Sequence, residues 1–273
     1  MPSSPAATAA LAVSDVLVDP ALRLAPCPPA ARSPHAVTSL SIVLPCFDEA
    51  ENVAGAVRAA VAAGERCAAE YEVIVVDDGS RDDTAAIVAG LVEANRHVRL
   101  VVHVRNRGYG DAVRSGIAAA AMDWVFLTDA DLQFDLRELE DFLEHTVRAD
   151  VVAGWRVRRQ DRLHRRINAA AWNWLIRRVF RLRVHDVDCA FKLLRRELVQ
   201  GFGLTSSGAM ISTELLVKAQ ASGARVDELG VRHLPRVAGS ASGARPSVVL
   251  RAFCELAALR RAVPRGSRPV TGC

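Results

Sequence analysis

The chain predicts an α/β domain: a mostly parallel, doubly covered sheet with helices on its faces. Three observations carry that reading. Short apolar segments rich in Val, Ile and Leu recur along the first half of the chain. They alternate with stretches of helical period, the pattern of βαβ units. The most distinctive polar loops, FDEAEN, DDGS, RNRGYGD, DADLQ and GWRVRR, all follow those apolar segments. Ligands of such sheets bind beyond the carboxyl ends of the strands, so these loops are expected to meet in one crevice.

SLSIVLP (39–45) is an almost unbroken β-branched and aliphatic run and reads as a first strand buried on both faces. A helix over 50–63 leads to strand YEVIVVD (71–77). A helix over 83–95 leads to VRLVVHV (98–104), a helix over 109–121 to DWVFLTD (123–129), and a helix over 135–147 to ADVVAGW (149–155). The second half reads differently. An amphipathic helix spans 162–182, and DCAFKLLRREL (188–198) is a strand or turn entering a helix. A helix over 211–221 and strand VDELGVRHL (226–234) follow, then the Gly/Ser-rich loop RVAGSASGARP (236–246) and a last helix over 247–262. Residues 1–38, rich in Ala, Pro and Ser, read as a disordered leader. The expected organisation is therefore a leader (1–38), one main domain (39–246), and a terminal amphipathic helix with a ragged tail (247–273).

Length and composition suit one large α/β domain, since 273 residues of which 51% are hydrophobic can bury a sizeable core. The net charge of +4 is modest, but its distribution is not. The stretch 156–183 holds ten Arg against the single acid Asp161, which leaves the rest of the chain at −5. A basic segment on a mildly acidic body implies a localised anionic partner rather than a nucleic-acid coat. Cys27, Cys46, Cys67, Cys189, Cys254 and Cys273 form no CxxC pair, which argues against a zinc site or a disulfide framework and for a reducing compartment. No uncharged apolar run reaches the ~18 residues of a spanning helix, and the first residues lack the basic region of a signal peptide.

The stretch WVFLTDADLQFD (124–135) runs an apolar strand into Asp129, Asp131, Gln133 and Asp135. Carboxylates at the end of a buried strand are unfavourable unless something cationic meets them. A metal, a substrate and a solvated turn are the candidates. Two carboxylates at i, i+2 and an amide oxygen at i+4 suit a hard cation such as Mg²⁺ or Mn²⁺ held against a diphosphate. In DDGSRDDT (77–84), Asp77 and Asp78 end a strand and Gly79 permits a tight turn. Thr84 is placed to cap the next helix, and Asp82 and Asp83 to complement its dipole. The same carboxylates are also suited to accept from nucleobase N–H or ribose hydroxyl groups. RGYGD (107–111) fails as a dinucleotide fingerprint, because Val113 stands where a third glycine belongs. Its glycines would still let backbone N–H groups at a helix start approach a phosphate.

In this order and spacing, PCFDEAEN, VVDDGSRDDT, NRGYGDAVRSG and TDADLQFD resemble the family-2 glycosyltransferases of the GT-A fold. GWR, DVDCAFKLLRRE and HLPRVAGSASG resemble the polyprenyl-phosphate branch of that family, which includes dolichyl-phosphate mannosyltransferase. The resemblance covers roughly residues 40–245. It implies inverting transfer of a sugar from a nucleotide-diphosphate donor, of the GDP-mannose or UDP-glucose type, to a polyprenyl phosphate at the cytoplasmic membrane face. It implies that Pro45, Glu49, Asp77 and Asp78 line the nucleoside pocket, with Gly108 near the donor. Asp129 would face ribose and metal, and Asp131 and Gln133 would hold Mg²⁺ or Mn²⁺ on the diphosphate. Arg156 with Arg165 or Arg166 would grip the acceptor phosphate, and Arg236 would close over the phosphates. Three positions depart from the family pattern: Asp48 for Asn, Ala190 for Gly in the Cys-Gly-Phe signature, and Ala169 for Ser.

An acceptor phosphate is already an anion and needs no strong base, which fits the scatter of the seven histidines. A soluble acceptor would want a carboxylate base, for which Asp186 or Asp188 could serve. On a helical wheel, Ile167, Ala171, Trp174, Leu175 and Leu182 share one face, with Arg166, Arg177 and Arg181 beside it and Arg178 interrupting. That face either packs on the core or meets a membrane surface, with Arg toward phosphates. The terminal helix has its own apolar face (Val249, Ala252, Phe253, Leu256, Leu259), which would dock on the domain, touch membrane, or pair with a second copy or an anchoring partner. Lys192 reads equally as an ion-pair member or a functional group, and Glu214 as structural. A nucleic-acid-binding module using the Arg-rich stretch leaves the five loops unexplained, and a nucleotidyltransferase would want a glycine- and lysine-rich phosphate loop that PCFDEAEN is not.

Overall fold

The computed structural model describes residues 37–157, 163–236 and 246–262. Residues 1–36 of the expected leader, most of the Gly/Ser-rich loop and the tail lie outside these residues, while Val37 and Thr38, expected in the leader, open the first strand. In chain order the elements are β1 (Val37–Cys46), α1 (Val53–Cys67), β2 (Ala68–Asp77), α2 (Thr84–Ala94), β3 (Val98–Val102), α3 (Tyr109–Ala119), β4 (Trp124–Leu127) and α4 (Leu139–Glu144). There follow β5 (Val151–Arg156), α5 (Leu163–Phe180), β6 (Lys192–Arg195), α6 (Arg196–Gln200), α7 (Met210–Ala221), β7 (Val226–Val231) and α8 (Pro246–Ala262).

The seven strands form one sheet in the order β3-β2-β1-β4-β6-β5-β7. β1 pairs in parallel with both β2 and β4. The chain thus winds outward in one direction through β2 and β3 and in the other through β4, so β1 and β4 flank the switch point where α/β sheets open their binding crevice. The sheet is covered on both faces. Leu40, Ile42 and Leu44 of β1 point into a core with α1, Phe126, Phe142 and Phe191. Val43, one residue out of step, points into the opposite core with α3, Ile176, Met210, Leu216 and Leu256. Period-2 alternation with both faces apolar explains why β1 reads as an unbroken hydrophobic run.

Several bounds differ from the sequence-based expectation, each for a local reason. β4 ends at Leu127, two residues early, so Asp129 and Asp131 lie in the loop beyond it. β3 ends at Val102, since His103 turns its ring to Asp78. The helix expected over 135–147 is a short α-helix flanked by 3₁₀ turns, the first capped by the Asp135 side chain accepting the Arg137 N–H. Thr84 does not cap α2: it is its first residue, accepts the Glu49 N–H at 2.9 Å, and leaves its own N–H to Asp82 at 3.0 Å.

The sheet's one reversal escapes the sequence. β6 runs antiparallel to both β4 and β5 and sits between them. Its first residue, Lys192, therefore stands opposite Leu127, at the carboxyl end of β4. The apolar face read on the α5 wheel is split between core and solvent: Leu175 packs partly on the core. Asn173, Ile176 and Phe180 face inward, while Ala171 and Trp174 are exposed. On the inward face Asn173 accepts the Val187 N–H at 2.8 Å and donates to the Ala169 carbonyl at 3.0 Å, so its buried amide is satisfied beside Ile176 and Phe180. α8 docks on the domain through Leu256 and Leu259, with Phe253 edge-on to Trp172.

Phe126 is fully buried and meets Phe191 edge-on at 4.6 Å, with Phe142 on the other side of Phe191 at 4.8 Å. Phe126→Ala should lower stability by about 3–5 kcal/mol, read as a lower urea midpoint with an unchanged denaturant slope.

Candidate functional site

The carboxyl ends of β1, β2 and β4 deliver FDEAEN, DDGS and DADLQ to one edge of the sheet, and β5 ends at that edge with Arg156. The first two are laced together. The Asp48 N–H donates to the Ser80 hydroxyl at 3.0 Å, the Ala50 N–H to Asp82 at 3.0 Å, and the Arg81 N–H to Asp48 at 2.8 Å. Asp48 holds a left-handed conformation (φ 54°), which an Asp at this position tolerates well. Pro45 is buried at the end of β1, beside Val76. Asp77 is buried and takes both the N–H and the hydroxyl of Ser80, so it shapes the turn it ends.

Asp78, expected at the nucleoside pocket, is already engaged by the protein. It is 2% exposed, and its two oxygens accept the N–H groups of Arg107 (2.9 Å) and Gly108 (2.8 Å) and bond the His103 ring (2.7 Å). The same contacts engage the Gly108 N–H, which the sequence reading offered to a phosphate. That N–H belongs to Asp78, and the Gly110 N–H belongs to the Ser207 carbonyl at 2.9 Å. The glycines serve close approach instead. Gly108 has φ 107°, and a Cβ on Gly108 or Gly110 would stand 2.4 Å from the Ser207 or Ser206 carbonyl oxygen.

The DADLQ turn is held by strain and packing. Leu132 adopts φ 58°, a costly conformation for a leucine, and keeps it because its side chain packs on the core beside Gly55. Asp131 is buried. Its Oδ2 meets the Arg236 guanidinium at 2.8 Å, and the same guanidinium meets Glu49 at 3.1 Å. Arg236 therefore bridges the loops after β1 and β4 across the crevice. The Gln133 side-chain nitrogen donates to the Leu234 carbonyl at 3.2 Å, while the Gln133 backbone carbonyl accepts the Leu234 N–H at 2.9 Å. Gln133 braces the segment that carries Arg236.

Asp129 stands apart. Its Oδ1 accepts the Tyr109 hydroxyl at 2.9 Å. Burial, and then the charge of Asp131, push its pKa up to about 6. Burial and the Asp129 charge push Tyr109 well above the ordinary phenol range, so it stays a donor. Lys192 is 1% exposed, and its ammonium donates to the carbonyls of Val187 (3.4 Å) and Cys189. Burial lowers its pKa, while Cys189, Asp186 and Asp188 work the other way. Arg156, at the end of β5, is locked to Asp186 by two bonds of 2.6 and 2.9 Å. Burial opposes its charge, but the bonds to Asp186 and that residue's charge more than offset this and raise its pKa. Asp188 is half-buried on the same turn, its N–H 3.3 Å from Asp186. Arg165 and Arg166 fall in the first turn of α5, whose side chains lie outside the described residues.

Among the described residues no three His, Cys, Asp or Glu gather as a metal cluster. The residues present nevertheless fit a Mg²⁺ or Mn²⁺ ion of the kind that takes one or two carboxylates and completes its shell with phosphate and water. The Asp131 charge bears on Asp129 and pushes its pKa up, and a cation, the Arg236 guanidinium, already sits on Asp131. Sequence reasoning missed Tyr109, although it lies inside RGYGD, and the Arg81 guanidinium stacked 5.3 Å from the Phe47 ring at the mouth of the β1 loop. Nothing in the periodicity marks either.

The shift of Asp129 has a sign that can be tested. Its folded-state pKa lies above the ~3.9 of an exposed aspartate, so the folded protein binds this proton more tightly than the unfolded chain. No penalty exists below about pH 4; it grows as pH rises and is complete above about pH 6. Without divalent cation, Asp129→Asn, which keeps an oxygen for Tyr109, should be more stable than the wild type at pH 7–8 by up to about 3 kcal/mol. The gain should vanish toward pH 4 in a series of urea titrations.

Comparison with known proteins places this geometry. The model of Glycosyl transferase family 2 matches residues 41–203. An uncharacterized glycosyltransferase of Mycobacterium tuberculosis (strain ATCC 25618 / H37Rv) is 36% identical over 206 residues, 74% of this chain and 88% of that protein. An undecaprenyl-phosphate 4-deoxy-4-formamido-L-arabinose transferase of Sodalis glossinidius is 34% identical over 61% of this chain, and the match spans 52% of that protein. Among solved structures, glucosyl-3-phosphoglycerate synthase from Mycobacterium tuberculosis, in complex with Mn²⁺, uridine-diphosphate and glucosyl-3-phosphoglycerate, superposes with a TM-score of 0.64 at 17% identity, covering 86% of this chain and 89% of that one. The sheet, its switch-point crevice and the strand-end loops are thus those of a GT-A fold, and the chain belongs to glycosyl transferase family 2.

Proposed function

We propose that the protein transfers a sugar from a nucleotide-diphosphate donor, of the GDP-mannose or UDP-glucose type, to a polyprenyl phosphate at the cytoplasmic face of the membrane, with inversion at the anomeric carbon. The observation that carries the acceptor reading is the outward face of α5. There Trp174 is 62% exposed, with Arg177 and Arg178 exposed beside it. An exposed indole among arginines suits the boundary between acyl chains and anionic headgroups. The relative from Sodalis glossinidius, named for transfer to undecaprenyl phosphate, supports the same acceptor class. No described helix is long and apolar enough to cross a membrane, so contact would be with its surface.

On this reading the donor lies across the switch point. Its nucleoside sits by the β1 and β2 loops, with Phe47 and Arg81 at the rim, and its diphosphate lies at DADLQ. Asp129 and Asp131 would hold Mg²⁺ or Mn²⁺, which supplies charge neutralisation for the departing diphosphate. Arg236, released from Asp131 and Glu49, would close on the phosphates. Arg156, oriented by Asp186, would anchor the acceptor phosphate. A phosphate oxygen of the acceptor attacks the anomeric carbon as the bond from that carbon to the diphosphate oxygen breaks. The nucleophile is already ionised, so neither Asp188 nor any histidine need take a proton. A soluble phosphorylated acceptor is the second reading, favoured by the glucosyl-3-phosphoglycerate synthase solved in complex with phosphoglyceric acid.

A panel of nucleotide sugars with Mg²⁺ or Mn²⁺, with and without a short polyprenyl phosphate, tests the function. Metal-dependent, lipid-stimulated transfer is expected, falling on the order of 100-fold or more in Asp131→Ala. Turnover that ignores the lipid but responds to a soluble phosphate ester would support the second reading. A product of retained configuration would falsify the single displacement. The membrane contact is tested apart from turnover: anionic vesicles should sediment the protein at low salt, less at high salt, and several-fold less with Trp174→Ala.

A further inference from the structure

Asp129 is a carboxylate whose orientation needs explaining, and Tyr109 explains it. Among the described residues the Tyr109 hydroxyl is the one hydrogen-bond donor recorded to Asp129, at 2.9 Å on Oδ1. Tyr109 opens α3, and the backbone around it is held from two sides. Asp78 clamps the N–H groups of Arg107 and Gly108 from one side. The loop 205–208 abuts from the other, with the Gly110 N–H donating to Ser207 and both glycines too close to its carbonyls for a Cβ. That loop is itself pinned by two carboxylates. Glu214 of α7 accepts the N–H groups of Thr205 (2.9 Å) and Ser206 (2.7 Å), and Glu255 of α8 those of Ser207 (3.2 Å) and Gly208 (3.1 Å). The phenol is therefore aimed at Asp129 from a rigid base.

We propose that Tyr109 is a positioning residue: its hydroxyl holds Oδ1 of Asp129 so that Oδ2 is the oxygen presented to the divalent cation and the donor diphosphate. The inference rests on the metal-assisted reading of the site. It gives Tyr109 the role of an outer partner that orients a ligating carboxylate, a kind of contact whose loss weakens metal affinity about 10- to 100-fold. It also gives α7 and α8 a part in the site, since Glu214 and Glu255 set the base on which Tyr109 stands.

Tyr109→Phe keeps the ring and removes the hydroxyl. Mn²⁺ binding would be followed by electron paramagnetic resonance in the presence of UDP or GDP, together with kcat as a function of Mn²⁺. The expected result is a Mn²⁺ Kd raised about tenfold, with kcat restored to within a few-fold of wild type at saturating Mn²⁺. A Kd within twofold of wild type would overturn the assignment. So would a loss of activity that excess Mn²⁺ does not restore, or a collapsed thermal midpoint, since either marks a packing role. If the wild type itself binds no Mn²⁺ with nucleotide, the metal reading of the site fails and Tyr109 loses this role with it. Wild-type binding with an unaltered variant rejects the Tyr109 role alone.

Discussion

Asp129 and Asp131 leave the end of β4 two residues apart, and the negative charge they carry into a poorly hydrated crevice must be met from several directions. Arg236 reaches in from the chain after β7 and bonds Asp131 and Glu49 together. Tyr109 supplies a neutral hydrogen bond to Asp129 from the start of α3. Lys192 adds a buried ammonium whose charge lowers the pKa of Asp129. These contributors come from separate parts of the chain, so the second half of the sequence is as much a part of the site as the strand-end loops of the first.

The reversed strand β6 is what makes this possible. A parallel strand beside β4 would place its carboxyl end at the crevice; an antiparallel one places its first residue there, and that residue is Lys192. The turn leading into β6 carries Asp186, which fixes the Arg156 guanidinium by a bidentate bond. Such a fork orients a cation while keeping it charged. The reversal of β6 thus brings the buried lysine, and the turn that fixes Arg156, to the edge where the carboxylates emerge.

Carboxylates do a second kind of work away from the crevice. Asp78, Glu214 and Glu255 each accept backbone N–H groups from loops that have no regular structure of their own. Loop N–H groups next to a core must find acceptors, and a carboxylate satisfies two or three at once. This gives the apparently featureless RGYGD and TSSG stretches a defined conformation. It also accounts for the terminal helix, whose Glu255 is a tie to that framework while Leu256 and Leu259 enter the core.

By itself the sequence determined the alternating α/β architecture, because hydrophobic period and strand-end position are local signals. SLSIVLP reads as a doubly buried strand and is one; DADLQ, DDGS and FDEAEN read as strand-end loops and converge as such. It also determined the family, since those motifs carry it in order. Tertiary structure alone decided what the polar groups touch. Asp77, Asp78, Glu49 and Asp131 are chemically alike in the sequence, yet Asp78 faces backbone N–H groups while Asp131 faces a guanidinium 105 residues away. The inward placement of Asn173, the reversal of β6 and the Tyr109–Asp129 bond likewise depend on partners remote along the chain. Hydrogen bonds and ion pairs are directional and short-ranged, so their partners are set by how elements pack, and no periodicity records that.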